Sequence, residues 1–227
     1  MTGEWNPDIP HEYRNAIVTG DARELAKSIP DESIDLVFTD PPYPRDFLYL
    51  YEWLFEECAR VLAPGGSVMA LCGHAYLPTI IDYARRHLNY HWLNCQYQPT
   101  ATATFWPKMV FIRWKPVLWC VKGVYPHRFI IQDGISPQGF DKRFHPWGQP
   151  VDSAMYWLYQ YTARQPNATI FDPFTGGGTV PAVCKMLQRS YIAFEIDPAT
   201  AEMARERVLN TQPPLLIPQA QQGVLIA

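Results

Sequence analysis

Thr39-Asp40-Pro41-Pro42-Tyr43 directly follows the largely apolar run Ile34–Phe38. The run predicts a buried strand, so the turn would stand at the strand's carboxyl end, where open α/β sheets bind ligands. Two successive prolines fix φ and remove two N–H donors, which leaves carbonyl oxygens as acceptors. Asp40 and the Pro41 carbonyl could then accept N–H bonds from an amino group on a planar base, while Tyr43 stacks on its ring. The alternative is an ordinary Pro-Pro loop.

A second motif, Phe171-Asp172-Pro173-Phe174-Thr175-Gly176-Gly177-Gly178-Thr179, joins a predicted strand to a predicted helix. Its glycines permit positive φ and close approach of a ligand, and the following helix offers free N–H groups. No lysine follows, so the motif is not a phosphate-binding loop. The next predicted strand, Tyr191–Ile196, ends in Glu195-Ile196-Asp197, and an acid at a strand end is suited to accept hydrogen bonds from ribose hydroxyls. A nucleoside cofactor is therefore favoured over a purely structural glycine turn.

Strands and helices alternate around both motifs, which predicts a mostly parallel sheet covered on both faces. Tyr90–Tyr97 and Val117–Val121 have no helix between them, so we expect an antiparallel pair at one edge of the sheet. The predicted organisation is a loosely held arm at 1–14, one domain at 15–210 and a tail at 211–227. Within the domain, 123–146 is expected to be an inserted loop region with little structure.

Composition and charge limit the classes of function. The 227 residues carry a formal charge of −3, but 108–143 is locally basic, with seven Lys and Arg against two Asp. The five cysteines are scattered and never spaced as C-x-x-C, which is typical of core residues in a reducing compartment. His87 and His91 lack a third ligand, so no metal site is expected. No apolar run approaches about 18 residues, so we expect neither a signal peptide nor a membrane span.

The two motifs together resemble the DNA amino-methyltransferases that modify adenine N6 or cytosine N4 with S-adenosylmethionine. Gly20-Asp21, the segment Pro30–Leu36 and His145-Pro146-x-x-Gln149-Pro150 are also similar to that family. With the Asp-Pro-Pro-Tyr turn first and the glycine loop last, the order is that of the circularly permuted β group. The resemblance implies a Rossmann-like methyltransferase fold with a seven-stranded sheet, and it places the target-recognition region at about 123–146.

The resemblance also implies roles for particular residues and partners. Catalysis would fall to Asp40, Pro41, Pro42 and Tyr43. The cofactor S-adenosyl-L-methionine would be bound by Asp21, Ala22, Asp40, Gln149, Asp172, Phe174, Gly176, Gly178, Thr179 and Glu195. DNA would be contacted by Arg45, Lys108, Arg113, Arg128, Lys142 and Arg143.

The substrate implied is the amino group of a flipped base in DNA, with adenine N6 preferred because Asp at position 40 is commoner with adenine in the resembling family. Cytosine N4, an RNA or protein amino group, and an inactive relative that only binds DNA or a partner remain as alternatives. A cytoplasmic protein of prokaryotic or phage origin is expected, without a membrane partner, and homodimerisation is left open.

Overall fold

The computed structural model describes residues 5–98, 103–128, 130–136, 151–163 and 165–212. Its strands are β1 (Ala16–Thr19), β2 (Ile34–Thr39), β3 (Leu62–Leu71), β4 (Asn89–Tyr97), β5 (Thr104–Phe105), β6 (Val110–Phe111), β7 (Trp114–Val121), β8 (Gly134–Ile135), β9 (Thr169–Asp172) and β10 (Ser190–Glu195). Its α-helices are α1 (Ala22–Leu25), α2 (Leu48–Val61), α3 (Leu77–Arg85), α4 (Val151–Thr162), α5 (Thr179–Leu187) and α6 (Pro198–Asn210). None of the helices in these ranges is long and apolar enough to cross a membrane.

The main sheet has the strand order β1-β10-β9-β2-β3-β7-β4-β8. The first five strands in that order are mutually parallel, whereas β7 is antiparallel to both β3 and β4. The predicted Rossmann-like fold, with a mostly parallel sheet and an antiparallel pair near one edge, is confirmed. The described sheet has eight strands rather than the expected seven, because the two-residue strand β8 adds to β4 in parallel.

Side chains alternate between the two faces of the sheet, as a strand requires. In β2, Val37 packs into the core beneath α1, α2 and α3, whereas Leu36 and Phe38 pack into the core beneath α4, α5 and α6. All three side chains are at most 3% exposed. The apolar run that predicted a buried strand therefore reflects a strand covered by helices on both sides.

Two expectations about irregular segments are corrected, and the connector between β4 and β7 has structure of its own. Residues 5–14 are not loosely held, since Ile9 and Tyr13 are buried and the Tyr13 ring meets Phe194 edge to face. The connector between β4 and β7 contains a β5–β6 hairpin around a 3₁₀ turn at Trp106–Lys108. The described part of 123–146 supplies strand β8, because its backbone pairs with the open edge of β4. Residues 137–146 and 213–227 lie outside the described residues.

Candidate active site

The carboxyl ends of β1, β10, β9, β2 and β3 meet at one edge of the sheet because these five strands are parallel. The Asp40 turn follows β2 and the glycine loop follows β9, and these two strands are direct neighbours. Motifs that are far apart in the sequence therefore lie side by side. This edge, called the carboxyl edge below, is where doubly wound sheets bind ligands.

A buried carboxyl group joins the two motifs. Thr39 Oγ1, immediately before the turn, donates to Asp172 Oδ1 at 2.7 Å. Asp172 also accepts from Thr175 Oγ1 at 2.9 Å and from the Phe174 N–H at 3.2 Å. Burial raises the pKa of Asp172 to about 7, and the three donors oppose that rise. Asp172 therefore holds the turn against the glycine loop, in addition to any contact it makes with a ligand.

Within the turn, the Tyr43 hydroxyl donates to Asp40 Oδ1. Burial, followed by the neighbouring Asp40 carboxylate, raises the pKa of the Tyr43 phenol well above its ordinary value, so the hydroxyl stays a donor. The buried Pro41 carbonyl accepts a long bond of 3.4 Å from Tyr51, whose hydroxyl is closer to the Leu71 carbonyl at 3.0 Å. A carbonyl has two lone pairs, so Pro41 keeps acceptor capacity for a ligand.

Lys115 completes this cluster and was missed as a site residue. Its Nζ lies 3.8 Å from Asp40 Oδ2 and 5.2 Å from the centroid of the Tyr43 ring. The sequence indicates only that Lys115 belongs to a basic segment. It reaches Asp40 because β7 runs antiparallel to β3, which brings the start of β7 to the carboxyl edge.

The glycine loop is fastened to the end of β10. Thr175 N–H donates to the Phe194 carbonyl at 3.0 Å, and Gly176 N–H donates to Glu195 Oε2 at 2.9 Å. Glu195 Oε1 accepts from the Asp197 N–H at 2.9 Å. A carboxylate offers about four acceptor positions, so two remain for hydroxyl groups of a ligand.

The glycines of the loop differ in their surroundings. An added Cβ at Gly176 would meet nothing within 4 Å, so this position faces open space. At Gly178, with φ of +74°, an added Cβ would lie 3.0 Å from Ala204 Cα of α6. Buried Thr179 accepts from Arg207 at 2.8 Å, also on α6. Of the residues predicted to bind the cofactor, Gly176 is thus exposed to a ligand, whereas Gly178 and Thr179 are committed to packing against α6.

Other predicted cofactor residues lie at the same edge. Asp21 caps α1 through the Arg23 N–H at 2.9 Å and pairs with the Arg23 guanidinium at 2.6 Å. The hydrogen bond from Arg23 lowers the pKa of Asp21, so it is an ionised acceptor. Ala22 beside it is buried. Half-buried Phe174 meets Trp53 edge to face, with 5.9 Å between ring centroids. Gln149 lies outside the described residues.

The structure divides the predicted DNA-binding residues between the two edges. Arg45, Lys108 and Arg113 are exposed on segments that leave the carboxyl edge. Lys108 and Arg113 lie there because the connector joins the paired ends of β4 and β7 at this edge. The Arg113 guanidinium lies 4.5 Å from the centroid of the Phe111 ring. Arg128 belongs to the opposite edge. Lys142 and Arg143 lie outside the described residues.

The opposite edge, called the amino edge below, also holds a cleft of about 90 Å³. Asp35 at the start of β2, Gly65, Tyr125, Pro126 and His127 are among its lining residues. Pro126 and His127 directly precede Arg128 in the chain and place it at this edge. No residue of the Asp-Pro-Pro-Tyr turn or of the glycine loop lines this cleft, so the cleft is separate from the candidate active site.

Fold and motif arrangement together define a Rossmann-like methyltransferase domain. A family model described as DNA methylase matches residues 118–206. The type II methyltransferase M.BamHI of Bacillus amyloliquefaciens is 26% identical over 86% of this chain, and the match spans 57% of that enzyme's length. These matches confirm the resemblance to the β-group amino-methyltransferases.

Two solved structures share the fold. The cytosine-N4-specific PvuII DNA methyltransferase superposes with a TM-score of 0.74 at 19% identity, over 86% of each chain. The M1.HpyAVI–SAM complex superposes with a TM-score of 0.70 at 24% identity, over 86% of this chain and 98% of that one. Likeness at this identity supports the chain trace and the sheet topology.

Proposed function

We propose that this protein transfers a methyl group from S-adenosylmethionine to the exocyclic amino group of a base in DNA. The observation that carries the proposal is the 2.7 Å hydrogen bond from Thr39 to Asp172, which holds the Asp40 turn beside the glycine loop. This bond keeps two features at the ends of the neighbouring strands β2 and β9: the acceptors for an amino group and the loop suited to a nucleoside. Such positioning is a large part of what a bimolecular transfer needs from an enzyme.

The glycine loop suits S-adenosylmethionine on three grounds. Gly176 leaves room for close approach, Glu195 keeps acceptor positions for ribose hydroxyls, and ionised Asp21 can accept from the adenine moiety. Phe174 would lie beside the methionine part, as the resemblance implies. The bound cofactor supplies the electrophilic methyl group, and these residues hold and orient it.

The turn accounts for activation of the amino group. An aromatic amine is a weak nucleophile because its lone pair is delocalised into the ring. If Asp40 and the Pro41 carbonyl accept its two N–H bonds, the nitrogen can pyramidalise and direct its lone pair towards the methyl group. The Tyr43 ring offers a stacking face, and its hydroxyl orients Asp40. A duplex hides the amino group, so the base must leave the stack.

The DNA would be held by the segments that rise from the carboxyl edge. Lys108 and Arg113 provide charge for phosphates, and Trp106, with 70% of its surface exposed, provides a ring that can stack on a base. Arg45, directly beyond the turn, lies on the same side. Arg128 is left out of this surface because it lies at the amino edge.

Adenine N6 is the proposed acceptor in preference to cytosine N4. The support is the aspartate at position 40, which is commoner with adenine in the resembling family. Fold does not separate the two bases, since the PvuII DNA methyltransferase, which shares the fold, is cytosine-N4-specific. Digestion of methylated DNA to nucleosides, followed by mass spectrometry, should yield N6-methyl-2′-deoxyadenosine. N4-methyl-2′-deoxycytidine as the sole product would overturn the choice of base and leave the mechanism intact.

The class of substrate is tested by incubating the purified protein with methyl-labelled S-adenosylmethionine and, in parallel, unmethylated DNA, RNA or a protein mixture. We expect label in DNA alone, and none with the Asp40→Ala variant. Label confined to RNA or protein would replace the proposal by the corresponding alternative. No label anywhere, with cofactor still bound in calorimetry, would indicate an inactive relative.

A further inference from the structure

We propose that Lys115 is a placeholder for the substrate's amino group, occupying Asp40 and the face of Tyr43 until the base enters and displaces it. The inference rests on the proposed function, because it assigns these two residues to the base. Lys115 is here a positioning residue that controls access to the acceptor. Nothing in the sequence motifs singles it out.

The geometry shows what the ammonium occupies. Asp40 Oδ1 accepts from the Tyr43 hydroxyl, so Oδ2 is the oxygen left for an incoming amino group. Lys115 Nζ stands 3.8 Å from that oxygen. It also lies over the Tyr43 ring, 5.2 Å from the centroid, where a stacked base would sit. The ammonium and the base therefore compete for one carboxylate oxygen and one ring face.

The contact is suited to being broken. At 3.8 Å the ion pair is longer than a hydrogen bond, so it lacks the strength of a short charge-assisted contact. The Lys115 side chain is 27% exposed and has a flexible four-carbon stem, which lets the ammonium swing into water. While it stays, its charge and the Tyr43 hydroxyl together balance the partly buried Asp40 carboxylate.

The charge that develops during methyl transfer gives a reason why Lys115 should be displaced. Methyl transfer from a sulfonium moves positive charge onto the amino nitrogen. An ammonium that remained beside Asp40 would oppose that charge and weaken the stabilisation that the carboxylate gives to the transition state. Asp40 is most effective once Lys115 has left, so occupancy by Lys115 and catalysis exclude each other.

The contact between Lys115 and Asp40 in the free protein can be tested without an activity assay. Lysines of the full chain are acetylated with a limiting acylating reagent, and the rate at each lysine is followed by mass spectrometry. The control is Lys122, which directly follows the same strand, pairs with Glu32 at 3.0 Å and has a similarly exposed side chain, 24% against 27%. Asp40→Asn should raise acetylation of Lys115 at least threefold and leave Lys122 unchanged. An unchanged Lys115 rate would refute the contact, whatever the substrate proves to be.

Displacement is tested by the opposite effects of two substitutions on steady-state kinetics with unmethylated DNA. Lys115→Met removes the competitor, so KM for DNA should fall about threefold or more with kcat maintained or raised. Lys115→Arg offers a fork that grips the carboxylate more firmly, so KM should rise or kcat should fall. Lys122→Met should change neither constant.

A merely supporting role for Lys115 gives the reverse pattern. If the ammonium only held Asp40 in place, Lys115→Met would lower kcat and Lys115→Arg would restore it, and that result would overturn the proposal. Failure of the proposed function is recognised separately, because the wild-type protein would then transfer no methyl group to DNA.

Discussion

The two edges of one sheet differ in what they offer a ligand. At the carboxyl edge Asp40 and Pro41 directly follow β2, Glu195 ends β10, and Gly176 of the glycine loop faces open space. At the amino edge a cleft of about 90 Å³ is bordered by Asp35 and Tyr125, without either motif. Asp35 lies near the start of strand β2 and Asp40 directly follows its end, so one strand offers an aspartate at each edge for comparison. The proposed chemistry therefore belongs to parallel strand ends and rigid turns, at the edge away from this cleft.

The largest expected effect separates these two aspartates. Asp40→Ala should lower kcat by about a thousandfold or more while cofactor affinity is retained, because the lost acceptor acts mainly in the transition state. Asp35→Asn should leave kcat within about twofold, since Asp35 accepts the Thr169 N–H at 2.8 Å and serves the fold. Radiolabel transfer under saturating DNA measures both. If Asp40→Ala and Asp35→Asn lowered kcat equally, the proposed functional difference between the two edges would be wrong.

The next effect concerns the carboxyl group that joins the motifs. Burial raises the pKa of Asp172 to about 7 from 3.8, so the folded state binds its proton more tightly than the unfolded chain. The free energy of unfolding of the wild type, relative to Asp172→Asn, should therefore fall as pH rises from about 4 to about 7, by on the order of 2 to 4 kcal/mol. Urea denaturation at a series of pH values measures this difference.

Asp35 sharpens the same comparison at the amino edge. Burial also raises the pKa of Asp35, and the hydrogen bond from the Thr169 N–H opposes that rise. The free energy of unfolding of the wild type, relative to Asp35→Asn, should therefore also fall as pH rises. For Asp172, the contrary result is a difference in unfolding free energy between wild type and Asp172→Asn that stays constant with pH. That result would mean that the three donors to Asp172 keep it ionised in the folded state.

A smaller effect is expected for the cofactor. Glu195→Ala should weaken binding of S-adenosylmethionine at least tenfold, about 1.4 kcal/mol, because it removes the acceptor for ribose and an anchor of Gly176. Calorimetry gives the affinity. Glu202→Ala, an acid on α6 that pairs with Arg205, is the control and should bind as the wild type does. Unchanged affinity in Glu195→Ala would refute the assignment of this acid.

The smallest effect tests the division of the basic residues. Replacing Lys108 and Arg113 by Ala should weaken DNA binding and reduce the slope of log affinity against log salt by about 1 to 2. Arg128→Ala should leave that slope unchanged, since Arg128 lies at the amino edge. Fluorescence anisotropy at several salt concentrations measures the slopes. If Arg128→Ala also reduced the slope of log affinity against log salt, DNA would contact both edges.

Much of the architecture could be predicted because it depends on local patterns. Apolar runs, Pro-Pro and glycine turns act on their own few residues, and so the strands β2 and β9 were predicted directly before the turns that follow them. The acidic end of β10 and the order of the two motifs were also local signals. Segments whose conformation depends on distant partners were misjudged. The 5–14 segment is held by Phe194, and strand β8 exists only because β4 leaves an edge to pair with.

The sequence by itself marked the residues that are proposed to carry the chemistry, since Asp40, Tyr43 and Gly176 belong to recognisable turns and Glu195 stands at the end of a predicted strand. Tertiary structure alone decided which glycine of the loop faces open space and which other residues join the proposed site. Gly176 and Gly178 read alike in the sequence, yet only Gly178 is covered by Ala204. Lys115 reads as one basic residue among several, and the pairing of β7 with β3 brings it to Asp40. The reason is physical: strand neighbours and register are chosen by packing of the whole core, which no short stretch of sequence contains.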